Sequence, residues 1–300
     1  MNSAPLPTRQ PRSLRALLML CLATLLANLA PLTAHAATAP APGKVFKDCK
    51  NCPEMVVLPA GSYLMGTPED EIGREGDEGP QHTVTFAKPF AMSRFHVTAA
   101  ELDAYIRETG VVIKDGDTRP GRLCKASKPS YKQGPRQPAV CIDYFEVQAY
   151  TEWLSKKTGQ KYRMVSESER EYAARAGSTG SFPFPFDDEG EYQISKHANT
   201  YGPKDGYTYS APVGSYPPNA FGMYDMHGNV YEWVADCWHP NYEGAPADGS
   251  AWLTGGDCND AHIRGNDWGE APVFSRSGNR NSREKNVRGD FLGFRVAREL

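Results

Sequence analysis

Asn219-Ala-Phe-Gly-Met-Tyr-Asp-Met-His-Gly-Asn-Val-Tyr-Glu-Trp-Val-Ala-Asp-Cys-Trp238 is the stretch of the chain densest in residues with special roles. Gly222 and Gly228 admit backbone angles that residues with a Cβ avoid. Phe221, Met223, Tyr224, Tyr231, Trp233 and Trp238 carry large apolar surfaces suited to a core. Asp225 and Glu232 bracket a turn with two carboxylates. Such an Asp-x-x-Gly-x-x-x-Glu loop lets side-chain oxygens and turn carbonyls converge on a hard cation such as calcium, which takes about six to eight oxygen ligands. The same acids also suit turn capping or pairing with arginine, and both readings stand.

Outward from this hub the chain carries clear helix signals. Ser166 with Glu169 is a capping box that opens a helix running toward Gly177. Asp143 with Glu146 opens another, along which Phe145, Ala149, Trp153 and Leu154 recur at helical spacing until Gly159. Thr98 with Glu101 opens a third, closed by Gly110. Residues 55–65 alternate loosely and end in Gly66, which suits a strand. Thr83 to Phe86 pairs as a second strand across an acidic loop, residues 67–80. Residues 111–138 read as a long surface loop. Past Gly177, glycine, proline and aromatics dominate to residue 290, with few long periodic runs. The prediction is an α+β chain with unusually much ordered loop, which needs staples such as disulfides or calcium.

A length of 300 residues with 40% hydrophobic content suits one large domain or two small ones. Arg9, Arg12 and Arg15 precede an apolar run from Ala16 to Leu32, and Ala34-His-Ala36 offers small residues for cleavage. That pattern predicts a signal peptide over residues 1–36, with a retained membrane anchor as the alternative. Residues 37–54 then form a flexible lead containing Cys49-Lys-Asn-Cys52, and residues 55–300 form the domain. Cleavage removes three arginines and no acid, taking the formal charge from −3 to −6. Scattered, outnumbered basic residues give no nucleic-acid surface. The expected location is periplasmic or secreted, with no membrane attachment after cleavage and the oligomeric state left open.

Export makes an even set of cysteines meaningful. With Cys21 lost, the neighbours are Cys49 with Cys52, Cys124 with Cys141 and Cys237 with Cys258. Local pairing into three disulfides is the favoured reading among fifteen connectivities. For Cys49 and Cys52, a redox pair or half of a zinc site is the sharper alternative.

The run Gly222 to Val234 closely resembles the signature of the formylglycine-generating enzyme family, the sulfatase-modifying factors. Met55-Val-Val-Leu-Pro-Ala-Gly-Ser-Tyr-Leu-Met-Gly66 resembles the family's opening strand, and Pro80-Gln-His-Thr-Val with Phe90 to Thr98 resembles the segment after it. Tyr162 to Gly177 resembles its central helix, with Arg170 where an aromatic is usual, and Leu292-Gly-Phe-Arg-Val-Ala-Arg298 its closing strand. The resemblance implies a C-type-lectin-like fold with little regular secondary structure and two calcium sites. One would use Asp225, the carbonyls of Gly228 and Val230, and Glu232. The other would use Asn199, the Thr200 carbonyl, Asp205 and the Tyr207 carbonyl.

Members of the family hold copper(I) with two cysteines after an Arg-Gly-Gly-Ser-aromatic segment and use oxygen to convert a substrate cysteine to formylglycine. Here that segment is Arg264-Gly-Asn-Asp-Trp268, and Glu270 and Ser275 stand at the cysteine positions. Copper(I) prefers soft thiolates, so the usual copper site is absent as written. Asp267, Trp268, Glu270, Ser275, Arg276 and Arg280 form a candidate polar cleft. In it Glu270 serves as general base or as oxygen ligand to a harder metal. The alternative is a solvated loop whose acids pair with Arg276 and Arg280. The histidines form no H-x-x-x-H or H-E-x-x-H pattern.

Three functions follow. The first is an exported enzyme that oxidises or modifies a peptide or small molecule without copper cysteines, like the periplasmic pyoverdine-maturation proteins that resemble this family. The second is a non-catalytic binding module on a lectin-like scaffold. The third is a genuine formylglycine-generating oxidase.

Overall fold

The computed structural model describes residues 40–116, 123–185 and 191–300, with Met1 and Ala4. The chain divides into two units, Met1–Thr38 and Ala39–Leu300. The expected signal peptide falls in the first and lies outside the described residues but for those two positions. Among the described residues no helix is long and apolar enough to cross a membrane.

The second unit is built on two sheets. The five-stranded sheet has the order β1-β2-β5-β13-β8, from β1 (Val45–Phe46), β2 (Met55–Leu58), β5 (Phe90–Ser93), β13 (Val296–Arg298) and β8 (Tyr162–Met164). The four-stranded sheet has the order β11-β10-β9-β12, from β11 (Asn281–Glu284), β10 (Asp257–Arg264), β9 (Tyr231–Trp238) and β12 (Leu292–Phe294). β3 (Gly61–Met65) and β4 (His82–Phe86) form a hairpin, as do the two-residue strands β6 (Cys124–Lys125) and β7 (Lys128–Pro129). The lead is ordered earlier than expected: Gly43 N–H donates to Val57 O at 2.8 Å, and Val45 and Phe46 pair with β2.

All three capping boxes form, opening α1 (Ala99–Thr109), α2 (Tyr144–Thr158) and α3 (Glu167–Arg175). A single-turn α4 spans Glu191–Ile194. The buried face of α2 differs from the predicted one. Tyr144, Val147, Tyr150, Thr151 and Leu154 point inward, while Phe145 is 55% exposed. Trp233 of β9 is fully buried, packs edge-on against Tyr144 and donates from Nε1 to Ile142 O at 3.2 Å.

The eight-residue strands β9 and β10 were hidden in sequence. Both faces of β9 are covered, so six of its eight residues are buried without alternation and the period-two signal vanishes. The three disulfides pair as expected: Cys49–Cys52, Cys124–Cys141 and Cys237–Cys258. None of these six cysteines is therefore a free thiolate.

Candidate functional site

The hub turn is built from left-handed residues, with Asp225 at φ 55°, Gly228 at φ 142° and Asn229 at φ 74°. Gly228 is there because a Cβ would stand 2.3 Å from Asn199 O. Asn229 N–H donates to that same carbonyl at 2.8 Å, and Asn229 Oδ1 accepts from Ala211 N–H and from Asn199 Nδ2. The two loops for which the family resemblance implies calcium are thus joined back to back.

Their side chains behave differently. Both oxygens of Glu232 are taken by arginine: Oε2 accepts from Arg170 Nε at 3.2 Å, and Oε1 from Arg170 Nη2 and Arg295 Nε at 3.0 Å each. His96 Nε2 stands 3.1 Å from Oε1 as well. The neighbouring guanidiniums hold the Glu232 carboxyl well below the usual range despite burial, while burial lowers the His96 pKa. Both guanidiniums bond the Glu232 carboxylate, and Arg295 also acts through space on Asp225, so two cations already lie among the two acids of the turn. A further +2 charge in this dry setting is strongly disfavoured. The expectation that Asp225, Gly228, Val230 and Glu232 cradle calcium does not fit these contacts, although Asp225 Oδ1 is buried with no hydrogen-bond partner.

The second loop does fit. Asp205 accepts the N–H groups of Thr200 and Tyr207 at 2.9 Å each, which aims its carboxylate into the turn. Asn199 Oδ1 is buried and has no hydrogen-bond partner. Burial raises the Asp205 pKa, as it does that of Asp225.

The six residues expected in one cleft are not brought together. Ser275, Arg276, Arg280 and Asp267 are buried; only Trp268 and Glu270 are partly exposed. Pro272–Ser275 is a 3-10 turn that sends successive side chains in different directions. Ser275 Oγ accepts from Asn266 Nδ2 at 2.7 Å, and its carbonyl faces His227 Nδ1 at 2.8 Å. Arg276 pairs with Glu71 and Glu78, and Arg280 with Glu167, so neither neutralises Glu270. Glu270 stands instead near Tyr231, whose pKa is raised by burial and then by the Glu270 charge. Beside it lies an aromatic wall. Trp268 meets Tyr209 edge-on at 5.1 Å, and Tyr209 stacks on Tyr131 at 4.6 Å. Tyr201, 73% exposed, donates its N–H to Glu270 O at 2.9 Å.

Sequence reasoning also missed a buried ionic network on α3. Glu167 Oε1 accepts from Arg264 Nη1 at 2.7 Å and Arg280 Nε at 2.8 Å, and Glu171 Oε2 accepts from Arg264 Nη2 at 2.6 Å. Arg280 also stacks over Tyr242 at 4.2 Å. Glu167 and Glu171, a helical turn apart, were the available sign of it; Arg264 and Arg280 lie 93 to 113 residues away. Two cavities flank the hub. One of ≈ 260 Å³ is rimmed by Lys47, Lys50 and Arg136, and one of ≈ 240 Å³ is walled by Phe184, His197, Pro217 and Met223. Glu270 lines neither.

Residues 41–300 match the model of the sulfatase-modifying factor enzyme 1-like domain. The chain belongs to this family. It is 28% identical over 228 residues to the formylglycine-generating enzyme of Thermomonospora curvata, covering 63% of this chain and 73% of that one. It is 30% identical over 284 residues to the inactive C-alpha-formylglycine-generating enzyme 2 of Mus musculus, covering 82% and 85%. Among solved structures it is similar to PvdO from Pseudomonas aeruginosa, at 71% identity and a TM-score of 0.85, covering 87% of this chain and all of that one. The fold is the α+β, C-type-lectin-like fold of formylglycine-generating enzymes, as expected.

Proposed function

We propose that this chain is an exported counterpart of PvdO that modifies, by oxidation or a related step, a peptide or small molecule in the periplasm without a two-cysteine copper site. The observation that carries the reading is the pairing of 71% identity to PvdO with Glu270 and Ser275 at the positions of the copper cysteines. Supporting it, the six cysteines of the folded unit are all tied in disulfides, leaving no thiolate for copper(I). Glu270 is the group for the chemistry: a carboxylate with no arginine ion pair among the described residues, near Tyr231 and beside Trp268 and Tyr209. In that setting it accepts a proton from a substrate held flat on the aromatic wall. Asn199, the Thr200 carbonyl, Asp205 and the Tyr207 carbonyl hold a structural calcium, which supplies the counter-charge that Asp205 and the Asn199 oxygen lack.

The test is to incubate the purified mature chain, in air, with a periplasmic extract from cells lacking its gene and to compare small-peptide mass profiles. A species that loses two hydrogens or gains oxygen with the parent protein, and not with Glu270→Gln at unchanged melting temperature, supports the reading. Identical profiles with and without protein would overturn it and leave the binding module. That second reading is favoured by the commitment of Ser275, Arg276 and Arg280 to buried partners. A sulfatase-derived cysteine peptide converted to formylglycine would instead make it a genuine oxidase of that kind.

A further inference from the structure

The Asp225–Glu232 turn raises a question of its own: what closes a loop built like a cation cradle when its second carboxylate is already occupied? Arg170 answers it. Its guanidinium reaches from the middle of α3 across 62 residues of sequence to clasp Glu232 through Nε and Nη2. The same Nη2 donates to Met226 O at 2.7 Å, in the turn itself. From the other side Arg295 donates to Glu232 Oε1 and to the carbonyls of Tyr224 and Asp225. Together the two side chains gather carbonyl and carboxylate oxygens of one loop, which is the work a hard cation does in such turns. A planar guanidinium does it with directed donors instead of a sphere of charge.

The surroundings are fitted to this arrangement. Gly265, at φ 99°, lies where a Cβ would come within 2.3 Å of Arg170 Nη2. Arg170 and Arg295 are 2% and 0% exposed. Arg170 also stands where the family usually places an aromatic residue, so the cation arrives as a side chain of this chain.

We infer that the Arg170 guanidinium replaces the metal at the Asp225–Glu232 turn, so that the hub of this protein is closed by a resident side chain and is insensitive to calcium. The inference concerns the hub alone and does not rest on the proposed activity or on the calcium proposed at Asp205.

The experiment counts calcium by mass spectrometry after desalting and measures thermal unfolding in calcium and in EDTA, for the mature parent and five variants. Asp225→Asn and Glu232→Gln keep the parent's calcium count, whereas Asp205→Asn falls below it by one. Arg170→Met lowers the melting temperature by the same amount in calcium and in EDTA, and Arg170→Lys, which restores a charge without the fork, recovers part of that loss. Should Glu232→Gln fail to fold, Asp225→Asn leaves the arginine contacts to Glu232 in place and still reports the count. A parent with no calcium at all removes the proposed site at Asp205 and leaves the guanidinium-closed hub standing. The inference is overturned if Asp225→Asn or Glu232→Gln loses one calcium, if their destabilisation disappears in EDTA, or if Arg170→Met unfolds at the parent's temperature.

Discussion

Arg264 and Glu167 meet at 2.7 Å with side chains 1% and 4% exposed, so their ion pair is shielded from water and salt. Arg264 spans from Glu167 to Glu171 on α3, and Arg280 closes on Glu167 from the far side. Such a network is costly to assemble but very sensitive to losing one member, because the partners are left as buried, uncompensated charges.

Glu167→Gln therefore costs about 3–5 kcal/mol of folding stability, since Arg264 and Arg280 lose their shared counter-ion. Urea unfolding monitored by tryptophan fluorescence measures it. A loss under 1 kcal/mol would mean that water or another acid fills the role.

Stability should depend on pH through buried carboxyls shifted in opposite directions. The arginines hold the Glu167 and Glu232 carboxyls far below an unfolded glutamate's value of about 4.3. Their contribution is complete above that value and is lost as pH falls below it. Asp236 goes the other way: burial and then the Glu167 charge push it up to about 7. Its contribution is complete below about 4 and is lost as pH rises through 7. The difference in unfolding free energy between the parent and Asp236→Asn, measured from pH 3 to 9, should thus change most between roughly 4 and 7. Asp236→Asn removes an acceptor for the N–H groups of Glu167 and Trp252 and weakens the fold throughout, yet it flattens the slope between roughly pH 4 and 7.

Replacing both Cys237 and Cys258 by alanine opens a bridge of sequence separation 21 between the outer ends of β9 and β10 and costs about 3 kcal/mol. The check is denaturant unfolding under non-reducing conditions. A reductant that lowers the parent's stability but not the variant's would assign the loss to this bond.

Gly249→Ala is expected to be unusually damaging for so small a change. The residue has φ 82°, and an added Cβ would lie 2.2 Å from the Phe86 ring. Its carbonyl also accepts from Ser166 Oγ, the cap of α3, at 2.8 Å. Overpacking and backbone strain together cost about 2–3 kcal/mol, read as a lower denaturant midpoint with an unchanged slope.

Much of the fold could be read in advance because it is written locally. Thr98, Asp143 and Ser166 each sit three residues before a glutamate, and each capping box forms. The cysteines pair with near neighbours. What could not be read depends on distant partners. Glu232 looks the same in sequence whether calcium or arginine awaits it, and Arg170 gives no hint of its target. Ser275, Arg276 and Arg280 lie near Glu270 in the chain, but a 3-10 turn and the acids that bind the two arginines separate them in space. Strand β9 escaped notice for the opposite reason: covered on both faces, it has no polar side to mark its rhythm.

The final strand, β13, lies inside the five-stranded sheet, between β5 and β8. A nascent chain meets β5 and β8 long before β13 exists, and until residue 295 emerges Glu232 lacks one of its two guanidinium partners. Arg295 and strand β13 thus act as a closing key. Synthesis runs from one end to the other, but the sheet is completed from within, and a chain lacking β13 leaves β8 with no strand of that sheet to pair with.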